Sequence, residues 1–137
     1  MAGHWTKRDE ITSKRVHSAL SYGDKMAAIV NGTSTESFDA LVPMIDADRF
    51  VRRGNERDSG MDWPTYRAML EQWNGSSGKY EKNLYRASEA GNVVYLDLDE
   101  FNTASDGAVT SLRSISIYEF DDADRIVAVD VCMGFHQ

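Results

Sequence analysis

The sequence holds a single cysteine, Cys132, so no disulfide can form within the chain, and no Cys/His cluster has zinc-ligand spacing. Two prolines and no low-complexity run leave little composition of the kind that stays disordered. Basic charge is short: 15 Lys and Arg against 22 Asp and Glu leave a net charge of −7. Such a surface repels phosphate backbones and offers no basic face to a membrane, which argues against nucleic-acid and membrane partners. Met1 to Glu10 is charged and lacks an apolar run, so it reads as neither signal peptide nor transmembrane segment, and the expected location is cytoplasmic. The three histidines, His4, His17 and His136, are scattered, and none is assigned a catalytic role. For His17 the expected place is a helix surface.

What is present is an ordinary globular mix, 42% hydrophobic and 27% charged, in 137 residues. That length suits one domain, 1–137, with a core that needs neither disulfide nor metal. Thr6 followed by Asp9 resembles a helix cap, and Val16, Leu20, Gly23, Met26, Ala27 and Val30 recur behind it at helical spacing. Asn31-Gly32 ends this helix. A short second helix is expected from about Ser37 to Met44, and a short strand over Arg49 to Arg53. Asp62 caps a third helix, with Pro64 in its first turn, where a missing N–H is harmless. The rest reads as four long strands: Tyr80 to Ser88, Val93 to Asn102, Val109 to Phe120 and Ile126 to Phe135. Asp121 to Asp124 forms the last hairpin turn. Three helices set against an antiparallel sheet make an α+β domain.

This order, together with Phe120-Asp121-Asp122-Ala123-Asp124-Arg125-Ile126-Val127 and Gly91-Asn92-Val93-Val94, resembles the nuclear transport factor two-like superfamily. That superfamily includes SnoaL-like polyketide cyclases and ketosteroid isomerase. The resemblance implies a cone: a curved mixed β-sheet wrapped around three N-terminal helices and enclosing one pocket. It also implies a homodimer through the convex sheet face and no cofactor.

Placing the last turn on residues 122 and 123 sets Ser116 opposite Val129, Ser114 opposite Val131, Tyr118 opposite Val127 and Leu112 opposite Met133. Alternation then groups Leu112, Ser114, Ser116, Tyr118, Val127, Val129, Val131 and Met133 on one face, which the resemblance makes the cavity wall. Arg113, Ile115, Ile117, Ala128, Asp130 and Cys132 fall on the other, where Arg113 and Asp130 come close diagonally and could pair. Carried over from the resemblance, the ketosteroid isomerase base, tyrosine and neutral-acid positions are Arg52, Met26 and Ser116. Arginine cannot serve as a base at neutral pH, so that activity is not expected. The positions that bear a His or an acid in cyclases and epoxide hydrolases are Val129 and Val131.

The remaining candidates each carry two readings. Asp97 and Asp99 share a face: turned inward they are an acid/base pair, turned outward they meet water or a partner. Asp130 faces away from the pocket unless a bulge or a one-residue slip turns it in. Arg52, Arg53, Glu56 and Arg57 flank a loop and read first as solvated charges; the resemblance makes Arg52 the one to reach the cavity, where it could clamp an anionic ligand. Tyr22, Met26, Trp63, Tyr66 and Trp73 close the cone as core or as ligand walls. The acidic run at Asp121, Asp122 and Asp124 lacks the EF-hand pattern and reads as a solvated turn.

Three functions fit. One is a cofactor-free isomerase, cyclase or dehydratase on an apolar, oxygenated substrate, with Asp99 or Asp130 as base and Tyr118 or Arg52 as donor. The second is a non-catalytic binder of an apolar ligand, with no ionisable group near the cavity floor. The third is a dimeric interaction module whose cavity is filled, leaving less than the roughly 300 Å³ of the smallest usual ligand sites.

Overall fold

The computed structural model describes residues 5–55, 60–74 and 79–135. His4, Glu56, Arg57 and His136 lie outside them. The helices are α1 (Lys14–Val30), a 3-10 helix over Phe38–Met44 and α2 (Trp63–Asn74). The strands are β1 (Val51–Arg53), β2 (Lys79–Ala90), β3 (Val93–Thr103), β4 (Val109–Phe120) and β5 (Ile126–Phe135). They form one mixed sheet in the order β1-β5-β4-β3-β2, with β1 parallel to β5 and every other pair antiparallel. This is the expected α+β architecture, a curved sheet with its helices on the concave side.

Helix α1 buries Val16, Ala19, Leu20, Tyr22, Gly23 and Ile29; Val16, Leu20 and Gly23 belong to the expected stripe, while Met26, Ala27 and Val30 are only partly buried and Ala19, Tyr22 and Ile29 take their place. These pack with Val94, Leu96 and Leu98 of β3 and Tyr118 of β4 into a single core. Each fully buried Leu or Val contributes about 1.5–3 kcal/mol relative to exposure. The far end of α1 is pinned to β2: Asn31 Nδ2 donates to Tyr80 O at 2.7 Å, and Tyr80 N donates to Asn31 Oδ1 at 2.8 Å. Asp62 caps α2 as expected, accepting from Thr65 N at 3.0 Å.

Thr6 does not cap the first helix. Ser13 does, accepting from Val16 N at 3.1 Å. Thr6 instead donates its N–H to Leu84 O and its hydroxyl to Tyr85 O, both at 2.8 Å. The outer edge of β2 offers unpaired carbonyls, and a bulge between Leu84 and Arg86 presents them to the N-terminal segment.

The last hairpin is displaced by two residues from the register that the sequence implies. Ser116 pairs with Val131, Ser114 with Met133, Tyr118 with Val129 and Leu112 with Phe135. The loop runs through Asp122 to Asp124, closed by Asp121 N to Arg125 O at 2.8 Å, with Asp124 left-handed at φ 60°. A bulge at Val127 then supplies one more residue, since Phe120 pairs with Ile126 and Glu119 with Ala128. A shift of two preserves the faces, so Val129, Val131 and Met133 stay on the concave side. Val127 alone is taken out of that set.

The displacement also breaks the expected Arg113–Asp130 pair. Asp130 now lies opposite Ile117 and accepts from Arg53 at 2.6 Å. Arg113 turns to β3 and grips Asp97 at 2.7 and 2.9 Å, while Arg86 reaches the same carboxylate at 3.0 Å. Asp97 is 7% exposed and faces outward between these guanidiniums. Hydrogen bonding from Arg113, then from Arg86, holds its carboxyl below the usual range against the opposing effect of burial. Its stabilisation is therefore present above the unfolded carboxylate pKa and is lost as pH falls through the lower folded value. Because both guanidiniums are half exposed, Asp97→Asn should cost about 1–2 kcal/mol at neutral pH. The penalty should vanish in acid, which thermal melts from pH 2 to 7 will read.

Candidate functional site

The concave face of the sheet, α1 and α2 enclose a cavity of about 440 Å³. Its size excludes the filled-cavity module. Alternation along each strand decides which side chains it receives. From β1, Arg52 points in beside its partner Val129, while Arg53 points out to Asp130. Leu112, Ser116 and Tyr118 of β4 and Val129, Val131 and Met133 of β5 line the wall. Tyr22, Gly23 and Met26 of α1 and Tyr66, Met69, Leu70 and Trp73 of α2 close it.

Two residues expected on the wall are elsewhere. Trp63, at the first position of α2, turns into the core and packs edge-on against Phe50, with ring centres 5.7 Å apart. Ser114 shares the concave face but is only 1% exposed, between its cross-strand partners Leu98 and Met133. Among the described residues its hydroxyl has no hydrogen-bond partner.

Neither expected carboxylate enters the cavity. Asp99 accepts from Trp5 Nε1 at 2.8 Å, and Asp130 is held by Arg53. Both lie on outward positions of their strands, and no slip of register turns them in. The cavity receives a different acid, Glu100, together with Asn102 from β3 and Tyr80 and Lys82 from β2. Glu100 lies directly opposite Lys82 in the ladder and accepts a hydrogen bond from the Tyr80 hydroxyl. The signal was available: Val94, Leu96 and Leu98 face inward, and two further steps of the same alternation reach Glu100 and Asn102. Lys82 was harder to find, because β2 carries few apolar residues to mark its inner face.

The polar groups fall into two sets. The first gathers donors around α1. Tyr22 is 1% exposed and stacks edge-on against Tyr118 at 5.9 Å, yet among the described residues its hydroxyl has no partner at normal hydrogen-bond geometry. The Tyr66 hydroxyl, which donates to Met26 Sδ at 3.8 Å, interacts with it by charge and by a loose hydrogen-bonding contact. The Arg52 guanidinium sits 5.5 Å from the centre of the Tyr66 ring, and its Nε is buried and unpartnered. The second set is Tyr80, Lys82 and Glu100. Burial pushes the phenols of Tyr22, Tyr66, Tyr80 and Tyr118 upward, so all four remain neutral hydrogen-bond donors at physiological pH. Burial pushes Lys82 the other way, favouring its neutral amine, with Asp24 and Glu100 opposing.

His17 lies on the surface of α1, its Nε2 2.8 Å from Ile11 O. Asp121 accepts from the Ala123 and Arg125 backbone N–H groups, each at 2.9 Å, as a turn residue. Among the described residues no group of three His, Cys, Asp or Glu could hold a metal ion. No helix among them is long and apolar enough to cross a membrane.

An unsatisfied buried hydroxyl costs about 1–3 kcal/mol. Tyr22→Phe should therefore raise stability by about 1 kcal/mol in the ligand-free protein. Thermal melting will check this; a loss of more than that amount would mean that the hydroxyl has a partner.

No protein-family model matches the sequence, and no curated protein matches it. Solved structures do match. A candidate SnoaL-like polyketide cyclase from Shewanella putrefaciens CN-32 aligns over 90% of this chain and 91% of its own, with TM-score 0.69 and 10% identity. The epoxide hydrolase/cyclase-like enzyme SalBIII, of pyran ring formation in the polyether salinomycin, aligns over 88% and 91%, with TM-score 0.65 and 16% identity. An NTF2-like protein of unknown function from Exiguobacterium sp. 255-15 aligns over 82% and 98%, with TM-score 0.63 and 12% identity. At such identities the likeness is one of fold, and in fold this chain is a nuclear transport factor two-like, SnoaL-like cone.

Proposed function

We propose that the cavity binds a mostly apolar small molecule carrying an acceptor oxygen, and that the protein is a cofactor-free enzyme of proton transfer: an isomerase, cyclase or dehydratase. The observation that carries this reading is the pairing of buried donors with unused capacity, the Tyr22 hydroxyl and Arg52 Nε, with a carboxylate, Glu100, in one cavity. Burying a donor without a partner is costly, and a ligand oxygen would satisfy it. Donors aimed at an oxygen on which charge develops are the usual means of stabilising an enolate. Glu100, replacing Asp99 and Asp130 in the role of base, would take the proton, and the Tyr80 hydroxyl would hold the carboxylate in place. Tyr118, which lies near both Arg52 and Glu100, would be a second donor.

An apolar ketone such as 2-tetralone in D2O tests the reading. The protein should accelerate exchange of the α-protons, and Glu100→Gln should lower the rate about 100-fold or more while leaving ketone binding within threefold. Binding without exchange would favour the non-catalytic reading, although three ionisable groups on the wall, Arg52, Lys82 and Glu100, speak against a purely apolar binder.

The convex face suits a second copy of the chain. Tyr95 and Ile115 are 39% and 36% exposed there, beside the Arg86–Asp97–Arg113 cluster. Exposed aromatic and apolar groups flanking fixed charge are typical interface material. Sedimentation should give a dimer that Ile115→Asp converts to a folded monomer.

A further inference from the structure

We infer that Lys82 is an imine-forming lysine, so that the ligand's acceptor oxygen is the carbonyl of an aldehyde or ketone. This rests on the reading of the cavity as a small-molecule site and narrows its substrate class.

Lys82 projects from the inner face of β2 into the cavity, where its neighbours are chiefly apolar side chains and the ring of Tyr80. Its amine nestles against α1 at Gly23, where any Cβ would overlap Nζ. Glycine inside a helix costs about 1 kcal/mol relative to alanine, and a larger residue here would displace the amine from its present position. The acids around Lys82 are otherwise engaged. Asp24 of α1 is clamped by Arg8 through hydrogen bonds of 2.8 and 2.9 Å. Glu100 of β3 accepts from Tyr80. Among the described residues Lys82 makes no ion pair. The groups facing it are thus Asp24 and Glu100, which favour the ammonium, and Arg8, which opposes it. A lysine taken from water without a committed counter-charge is the usual design of a nucleophilic amine.

Glu100, directly across the ladder, supplies the proton relay, since side chains of paired residues lie about 5 Å apart at Cβ. The neutral amine attacks the carbonyl carbon. A C–N bond forms as the C=O π bond opens, and one amine proton passes through Glu100 to the new alkoxide. The second nitrogen proton then follows to the carbinol hydroxyl, which leaves as water as the C=N bond closes. Amine and carbonyl become imine and water, with no change of oxidation state. Protonated, the imine withdraws electrons from the α-carbon, and Glu100 is placed to take the α-proton.

The test uses the full chain, 2-naphthaldehyde and cyanoborohydride, with peptide mapping by mass spectrometry. The other lysines, Lys7, Lys14, Lys25 and Lys79, are all exposed and serve as internal controls. Reduced adduct should form on Lys82 at least tenfold faster than on any of them, and its rate should rise at lower pH than theirs. Lys82→Met should abolish that adduct while retaining 2-naphthol, a non-condensing analogue whose binding is followed by fluorescence. Binding of 2-naphthol by the native protein without preferential labelling of Lys82 would overturn this inference and leave the proposed function standing. Failure to bind 2-naphthol at all would count against the cavity reading itself. Labelling spread evenly over the five lysines would likewise overturn the assignment.

Discussion

Two-residue alternation along a curved sheet is the constraint on which the rest depends. One face of β1, β3, β4 and β5 must meet the helices, so it carries Val94, Leu96, Leu98, Tyr118 and Val129. Any polar residue on that parity is carried into the cavity whether or not it is easily buried. Arg52, Glu100 and Ser116 are there for this reason, and Asp97, Asp99 and Asp130 are outside for the same one. Bulges at Tyr85 and Val127 act on this constraint locally. The first offers the edge of β2 to Thr6. The second moves the hairpin register by one residue, and the turn supplies the other, so the inner face survives.

The outward carboxylates are organised as firmly as the inner ones. Asp97 gathers Arg86 and Arg113, Asp130 holds Arg53, and Asp99 receives Trp5. Each is on a sheet face with water nearby, and each has its own partner. The inner groups contrast with them. Tyr22, Arg52 and Lys82 are brought together by the fold with their hydrogen-bonding capacity incompletely used. Stability alone would favour Phe at position 22. A structure that keeps unsatisfied donors around a 440 Å³ space has one face built for its own cohesion and another that a ligand would complete.

Much of the fold was legible because its signals are local. The bounds of β4 and β5, the Asp62 cap and the first half of the α1 stripe, Val16, Leu20 and Gly23, follow from periodicity and capping chemistry. The inner face of the last hairpin was also legible, since parity survives an even shift. The misreadings have two origins: competition from distant groups, and local turn geometry. Thr6 carries a cap signature, yet a strand edge about eighty residues later binds it. The Arg113–Asp130 pair was reasoned from an ideal hairpin, and a left-handed Asp124 with a bulge at Val127 removed it.

By itself the sequence determined an α+β order of elements and which residues of β4 and β5 share a face; the cone, the inward side of that hairpin and the place of Arg52 came from the family resemblance. The first two depend on hydrophobic period and chain order, which are written residue by residue. Only the tertiary structure decided that the cavity acid is Glu100, that Lys82 sits in a glycine notch of α1, and that Ser114 and Trp63 leave the wall. Such facts depend on which strand lies beside which helix and at what register. Lys82 and Gly23 are fifty-nine positions apart, and nothing in either segment announces the other.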